Sequence, residues 1–251
     1  MDLLEALAIV AAGIGAGAIN TVVGSGTLLT FPVLIALGYA PLVANVSNNV
    51  GLVPGSIFGA IGYRRELRGQ RERVVRLGAC SITGGLAGAG LLLALPASAF
   101  DTIVPALIAL AIVLVVLQPR LSRGLALRRE NRDEEHSPGL LAAVAATGVY
   151  GGYFGAAQGV ILISILGIAI RDEIQRLNGL KNVLAGLVNL TASVVFIFAA
   201  DVDWAVAGLI AAGSIVGAVI GARYGRRLSP TALRTLIVIV GLVAIARLTL
   251  A

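Results

Sequence analysis

The stretches NVSNNV (residues 45–50) and NGLKNV (residues 178–183) decide how this sequence is read. Each lies inside apolar sequence, and Asn45 and Asn49 match Asn178 and Asn182 at a common offset of 133. Residues i and i+4 share one helical face, so each stretch presents an amide pair on one side. In lipid an amide without a partner is expensive, so such groups face protein or a water-filled cavity. A duplicated amide pair therefore suggests two halves of one fold meeting at a polar site, the organisation of a secondary transporter.

The composition is that of a membrane protein. Hydrophobic residues make up 58% of the chain against 13% charged, and the mean hydropathy is +0.96. So few charges would leave a soluble globular surface uncovered. The net charge of +6 does not point to nucleic acid, because the Arg residues cluster in short connections between apolar segments. The opening MDLLEALAIV carries Asp2 and Glu5 and lacks a basic leader, so no cleaved signal peptide is expected. Cys80 is the single cysteine and His136 the single histidine, so no disulfide, metal site or cofactor is expected.

The apolar segments fall near 3–21, 28–38, 43–63, 74–95, 101–118, 139–158, 160–170, 176–200, 203–222 and 231–250. Two places read as breaks inside the membrane. One is Gly24-Ser25-Gly26-Thr27, with Pro32 beyond it, and the other runs from Gly151 to Gly159. Segments 28–38 and 160–170 are too short to span as helices, and they either re-enter or cross in extended form. Pro32 and Pro54 read as kinks. The breaks align with one another at an offset of 135, Gly17 on Gly152 and Gly24 on Gly159. Further on, Gly84 falls on Gly217 and Gly88 on Gly221 at an offset of 133. The collinear order of break, amide pair and small-residue helix marks an internal repeat.

Charge orients the repeat. Loop 64–76 is Arg-rich, as are the start of linker 119–138 and residues 223–227, and all three read cytoplasmic. Asp201 and Asp203 mark an outer loop, with Trp204 as an interface anchor. A basic loop follows the amide helix in half one and an acidic loop follows it in half two, so the halves read as inverted. The expected fold is all-α and polytopic: two inverted repeats, each a broken, re-entrant helical hairpin (3–38, 139–170) plus three spanning helices. Residues 1–118 form the first repeat, 119–138 a charged cytoplasmic linker and 139–251 the second repeat.

Broken helices free backbone N–H groups and dipole ends to hold a dehydrated ion, an anion at an N-terminus. Gly24, Ser25, Gly26 and Thr27 are candidate ligands in half one and Gln158 in half two, with Asn20 bordering the first break. Asn45, Asn48, Asn49, Asn178 and Asn182 add uncharged donors, supplemented by Ser47; the bland alternative is hydrogen bonding between helices. Lys181 is the chain's only lysine and occupies the position equivalent to Asn48. It reads equally as a point charge for an anion or as a side chain snorkelling to the cytoplasmic surface. Asn189 and Thr191 read as further ligands or as packing groups.

No Asp or Glu falls in the middle of any segment, so no carboxylate proton relay is visible. A negative interior drives anion efflux at about 2.3 kcal/mol per charge per 100 mV, which makes electrogenic facilitated export the expected mode. A catalytic role is not expected, since an intramembrane protease needs a Ser-His, paired-Asp or HExxH arrangement within the spans. The expected partners are a small anionic substrate and the lipid bilayer, with homo-oligomers compatible. A non-transporting membrane assembly factor or sensor is the competing class; the short loops count against a sensor.

The stretches GSGTLLTFP (24–32), ANVSNNVGLVPGS (44–56), YGGYFGAAQG (150–159) and LNGLKNVLAGLVN (177–189) resemble the sulfite exporter TauE/SafE family, over nearly the whole chain. The resemblance is closer to its branch of bacterial probable membrane transporter proteins. It implies a polytopic inner-membrane protein exporting sulfite, an organosulfonate or a related sulfur anion.

Overall fold

A computed structural model describes residues 1–128, 135–225 and 230–250. Ten helices follow one another: α1 (Leu3–Val22), α2 (Thr27–Ala36), α3 (Pro41–Gly62), α4 (Arg71–Ala94), α5 (Ala97–Arg128), α6 (Pro138–Tyr153), α7 (Gln158–Ala169), α8 (Ile174–Ala199), α9 (Trp204–Tyr224) and α10 (Pro230–Leu250). The described residues contain no β-strand. Among the described residues, five helices are long and apolar enough to cross a bilayer: α1, α4, α5 as far as Gln118, α8 and α9. The fold is thus all-α and multi-pass. α3 has 22 residues, but Asn45, Ser47, Asn48 and Asn49 sit in its buried part.

Local chemistry sets the helix ends. Asp2 and Glu5 form a reciprocal capping box at α1, each side chain accepting from the other's backbone N–H at 2.8 Å. Ser137 caps α6 ahead of Pro138. Asp203 Oδ1 accepts from Ala205 and Val206 N–H at the start of α9, where Trp204 is exposed. α2 and α3 run unbroken through Pro32 and Pro54.

α2 folds back along α1, bringing Leu29 beside Gly15 and Gly26 beside Ala16. At 1.5 Å per residue α2 is about 15 Å long, half of a hydrocarbon core of about 30 Å. The second break is narrower than expected: α6 continues to Tyr153 and only residues 154–157 interrupt the helical run. Gly151 and Gly152 are helical because they serve close packing, against Gln158 and against the Gly85 backbone. α5 continues past residue 118 to Arg128, through Pro119 and Gly124 as well as Leu, Arg and Ala. The middle of the linker lies outside the described residues, as do Arg226 and Arg227 of the loop at 223–227.

The halves exchange partners. α1 packs along α9, with Gly13 and Gly17 against the backbones of Ile210 and Ser214. α6 packs along α4, with Gly148 and Gly152 against Gly84 and Gly85. α1 thus lies on α9, and α6 on α4. A Cβ added at Gly84 would run into the Ala145 carbonyl, and one at Gly217 into the Ile14 carbonyl. Backbone approach of this kind is how membrane helices gain contact without a hydrophobic driving force.

Candidate functional site

Four helix ends meet at the breaks. Gly24 (φ +90°) ends the turn after α1, and its carbonyl accepts from Gly159 N–H at 2.9 Å. The backbones touch here, and a side chain on either glycine would strike the other. Left-handed φ at Gly24 suits glycine alone among common residues. The second break uses Gly155 (φ +75°) and Ala157 (φ +61°), an alanine held in a conformation costing about 1 kcal/mol. Phe31 of α2 packs edge-on against Phe154 of the second break (5.3 Å between centroids), with Phe100 of α5 beside it.

Neither Gly26 nor Ala157 supplies a side-chain cap; at the start of α7 the Gly159 N–H is taken by the Gly24 carbonyl, and at the start of α2 the Leu28 N–H bonds the Ser25 carbonyl. Ser25 Oγ and Gln158 Nε2 are buried there without any hydrogen-bond partner, as are Asn45 Oδ1 and Tyr153 OH. Ser25 is 1% exposed and Gln158 3%. Buried polar atoms of this kind are normally satisfied, so they point to a ligand or water.

The duplicated amides have a definite task. Asn45 Nδ2 on α3 donates to the Tyr153 carbonyl, the last of α6, at 3.0 Å. On α8, Asn178 and Asn182 donate to the Thr21 carbonyl near the end of α1, at 3.4 and 3.2 Å. Asn178 also donates to Tyr63 OH at 2.8 Å. The α3 amide therefore caps the end of α6, and the α8 amides cap the end of α1. A break leaves terminal carbonyls unpaired, and in a dry interior a side chain must satisfy them.

Lys181 does not snorkel. It is 1% exposed, and Nζ donates to the carbonyls of Asn20 and Thr21, both at 3.2 Å. Nζ thus sits at the negative end of the α1 dipole, an end that favours positive charge. Asn48, its counterpart in the repeat, steadies α2 instead, accepting from Thr30 Oγ1 and donating to Thr27 Oγ1. Asn49 accepts from Ser193 on α8 at 2.9 Å, and Ser47 accepts from Asp203 N–H at 2.8 Å.

The expected ligands therefore gather around the breaks but do not all point at one space. Asn20 contributes a carbonyl, the Nδ2 groups of Asn45, Asn48, Asn178 and Asn182 bond protein acceptors, and Ser25 and Gln158 keep unpartnered atoms. Sequence reasoning missed Thr21, Thr30, Tyr63 and Tyr153. Two of these act through carbonyls that no side-chain pattern announces.

Two cavities approach the region. One of about 230 Å³ is lined by Val22, Tyr63, Gln175, Asn178 and Gly225, among others. Another, of about 250 Å³, is lined by Leu42, Val46, Leu92 and Asp201, among others. Gln175 and Gly225 follow Leu42 and Leu92 at the repeat offset of 133. Each cavity lies at the start of an amide helix, one at α8 and one at α3.

On the basic side, Arg73 bonds Glu135 ahead of α6 (2.7 Å) and Asp172 after α7 (2.5 Å), so one side chain holds both ends of the second hairpin. Arg176 adds a second contact to Asp172 at 2.8 Å. Burial raises the Asp172 carboxyl, but hydrogen bonds from Arg73 and Arg176 outweigh it and hold the group below its usual range. The Glu135 carboxyl is lowered mainly by its Arg73 hydrogen bond.

The model of the sulfite exporter TauE/SafE family matches residues 9–248. The chain belongs to this family. Its relatives include the probable membrane transporter protein YfcA of Escherichia coli (strain K12), 28% identical over 93% of this chain and 85% of that one. A probable membrane transporter protein of Haemophilus influenzae is 24% identical over 99% and 95% of the two chains. The probable membrane transporter protein ORF9 of a Sinorhizobium species is 26% identical over 93% and 88%. No solved structure matches the chain. The family and the apolar helices together make this TauE/SafE protein a multi-pass membrane transporter.

Proposed function

We propose that this protein exports a small sulfur oxyanion, sulfite or an organosulfonate, across the inner membrane through a site between two inverted repeats. The observation that carries the reading is the meeting of the α2 and α7 N-termini at the Gly24–Gly159 contact, beside the unpartnered Ser25 Oγ and Gln158 Nε2. Helix N-termini favour negative charge, and hydroxyl and amide donors suit an oxyanion's oxygens.

The binding groups are Asn20, Gly24, Ser25, Gly26, Thr27 and Gln158 at the breaks, with Asn48 behind Thr27. Asn45, Asn49, Asn178, Lys181 and Asn182 hold the breaks in shape and present their remaining polar atoms. The 230 Å³ cavity, with its amide and phenol lining, is the cytoplasmic approach, on the side of the basic loops. The 250 Å³ cavity, apolar apart from Asp201, is the exit. Rocking of the hairpins past Gly24 and Gly159 opens one and closes the other. No internal carboxylate is needed, because the membrane potential drives the anion outward.

Efflux of sulfite from proteoliposomes, with and without an imposed potential, tests this. Saturable efflux that accelerates when the loaded side is negative supports the reading. Absence of flux for sulfite and organosulfonates, from folded protein, removes the substrate class.

A further inference from the structure

Resting on that reading, we propose that Lys181 is the fixed counter-charge of the transport site and that the substrate crosses as a monovalent anion. The inference begins with a burial problem. The Lys181 side chain is fully enclosed, yet its two partners are neutral carbonyls, and no ion pair involves it among the described residues. An ammonium has three donors, and two are engaged. Held as an ammonium, Lys181 keeps one donor and one full charge that nothing in the protein answers.

The surroundings do not supply one. Tyr63 holds Asn178, and Glu66 lies with its Cβ beside Gly179, but neither bonds Lys181. The helix ends at the breaks cancel in pairs. Each terminus is equivalent to about half an elementary charge, positive at the starts of α2 and α7 and negative at the ends of α1 and α6. What survives is the single positive charge of a Lys181 ammonium, reaching from α8 to the Asn20 and Thr21 carbonyls in the last turn of α1. A monovalent oxyanion restores neutrality in a region where unpaired charge is costly, whereas a divalent one leaves an excess negative charge. The loaded site is then neutral.

Two probes of fixed charge decide the matter in proteoliposomes holding the full chain: methanesulfonate, always monovalent near neutral pH, and sulfate, always divalent. Methanesulfonate is expected to move saturably with one charge per molecule, and sulfate about tenfold or more slowly. Methanesulfonate is also expected to raise the melting midpoint of the detergent-solubilised protein, an effect lost in Lys181→Gln and kept in Lys181→Arg. Sulfate flux equal to methanesulfonate flux overturns the counter-charge while leaving an anion carrier in place. So does unchanged methanesulfonate stabilisation in Lys181→Gln. Failure of methanesulfonate, sulfate and sulfite alike to move removes the exporter reading and this inference with it. Should Lys181→Gln fail to fold, the comparison of the two probes on the unmodified protein decides alone.

Discussion

Asn189 Nδ2 donates to Ser56 Oγ at 3.3 Å, and these residues stand 133 positions apart, the spacing that also separates the duplicated amides. Residues at equivalent positions of two related halves touch one another only near the axis that relates them. Gly24 and Gly159 are a second such pair, at the offset of the breaks. Two self-equivalent contacts, one from the amide helices and one from the hairpins, support a two-fold relation between the halves. A double-mutant cycle on Ser56→Ala and Asn189→Ala is expected to give a coupling of about 0.6–2 kcal/mol in thermal unfolding, the range of hydrogen bonds between membrane helices. Additive effects would show the bond to be incidental.

Gly24→Ala and Gly159→Ala are expected to yield little folded protein, since either methyl enters the opposite backbone and Gly24 has positive φ. Gly90→Ala and Gly167→Ala, where a Cβ meets nothing, serve as controls and should chromatograph normally.

The caps are unequal, which gives a graded expectation. Among the described residues Asn45 is the one side chain bonded to the Tyr153 carbonyl, whereas the Thr21 carbonyl accepts from Asn178, Lys181 and Asn182. Asn45→Ala should cost about 1–3 kcal/mol, the penalty for an orphaned buried group. Asn182→Ala should cost clearly less. Melting of the two variants in detergent checks the order, and a reversed order would refute the capping role.

The Arg73 clamp sets an acid limit. The Glu135 and Asp172 carboxyls are held below their usual values in the folded protein, so their contribution is complete at neutral pH. It is lost as pH falls through those lowered values. Asp172→Asn should therefore lower the melting midpoint at neutral pH, and its deficit against the unmodified protein should shrink in strong acid. A deficit independent of pH would indicate lost packing instead.

Ala157→Gly should be neutral or slightly stabilising, because glycine adopts φ near +61° without strain. A strong loss of folded protein would mean that the Ala157 methyl, fully buried, carries the packing of the second break.

Much of this architecture was legible in the sequence. Ten apolar segments matched ten helices because long uncharged runs leave a chain few alternatives in lipid. Ser56 and Asn189 carried the repeat offset in plain view, although neither looks like half of a motif. The use of the amides was harder to read. Asn45 and Asn178 advertise donors, but their acceptors are the carbonyls of Tyr153 and Thr21, and any residue could have supplied those. Lys181 left snorkelling and anion binding equally open because its depth depends on α1 closing over it. The end of α6 was misplaced because Gly151 and Gly152 look like breakers, yet they are helical residues permitting close contact.

The reciprocal caps have a consequence for biosynthesis. The chain emerges N-terminus first, so the Thr21 carbonyl waits 157 residues for Asn178. Until α8 is made, the Thr21 carbonyl has none of the three side-chain donors that hold it, and a free carbonyl near the end of α1 needs water in their place.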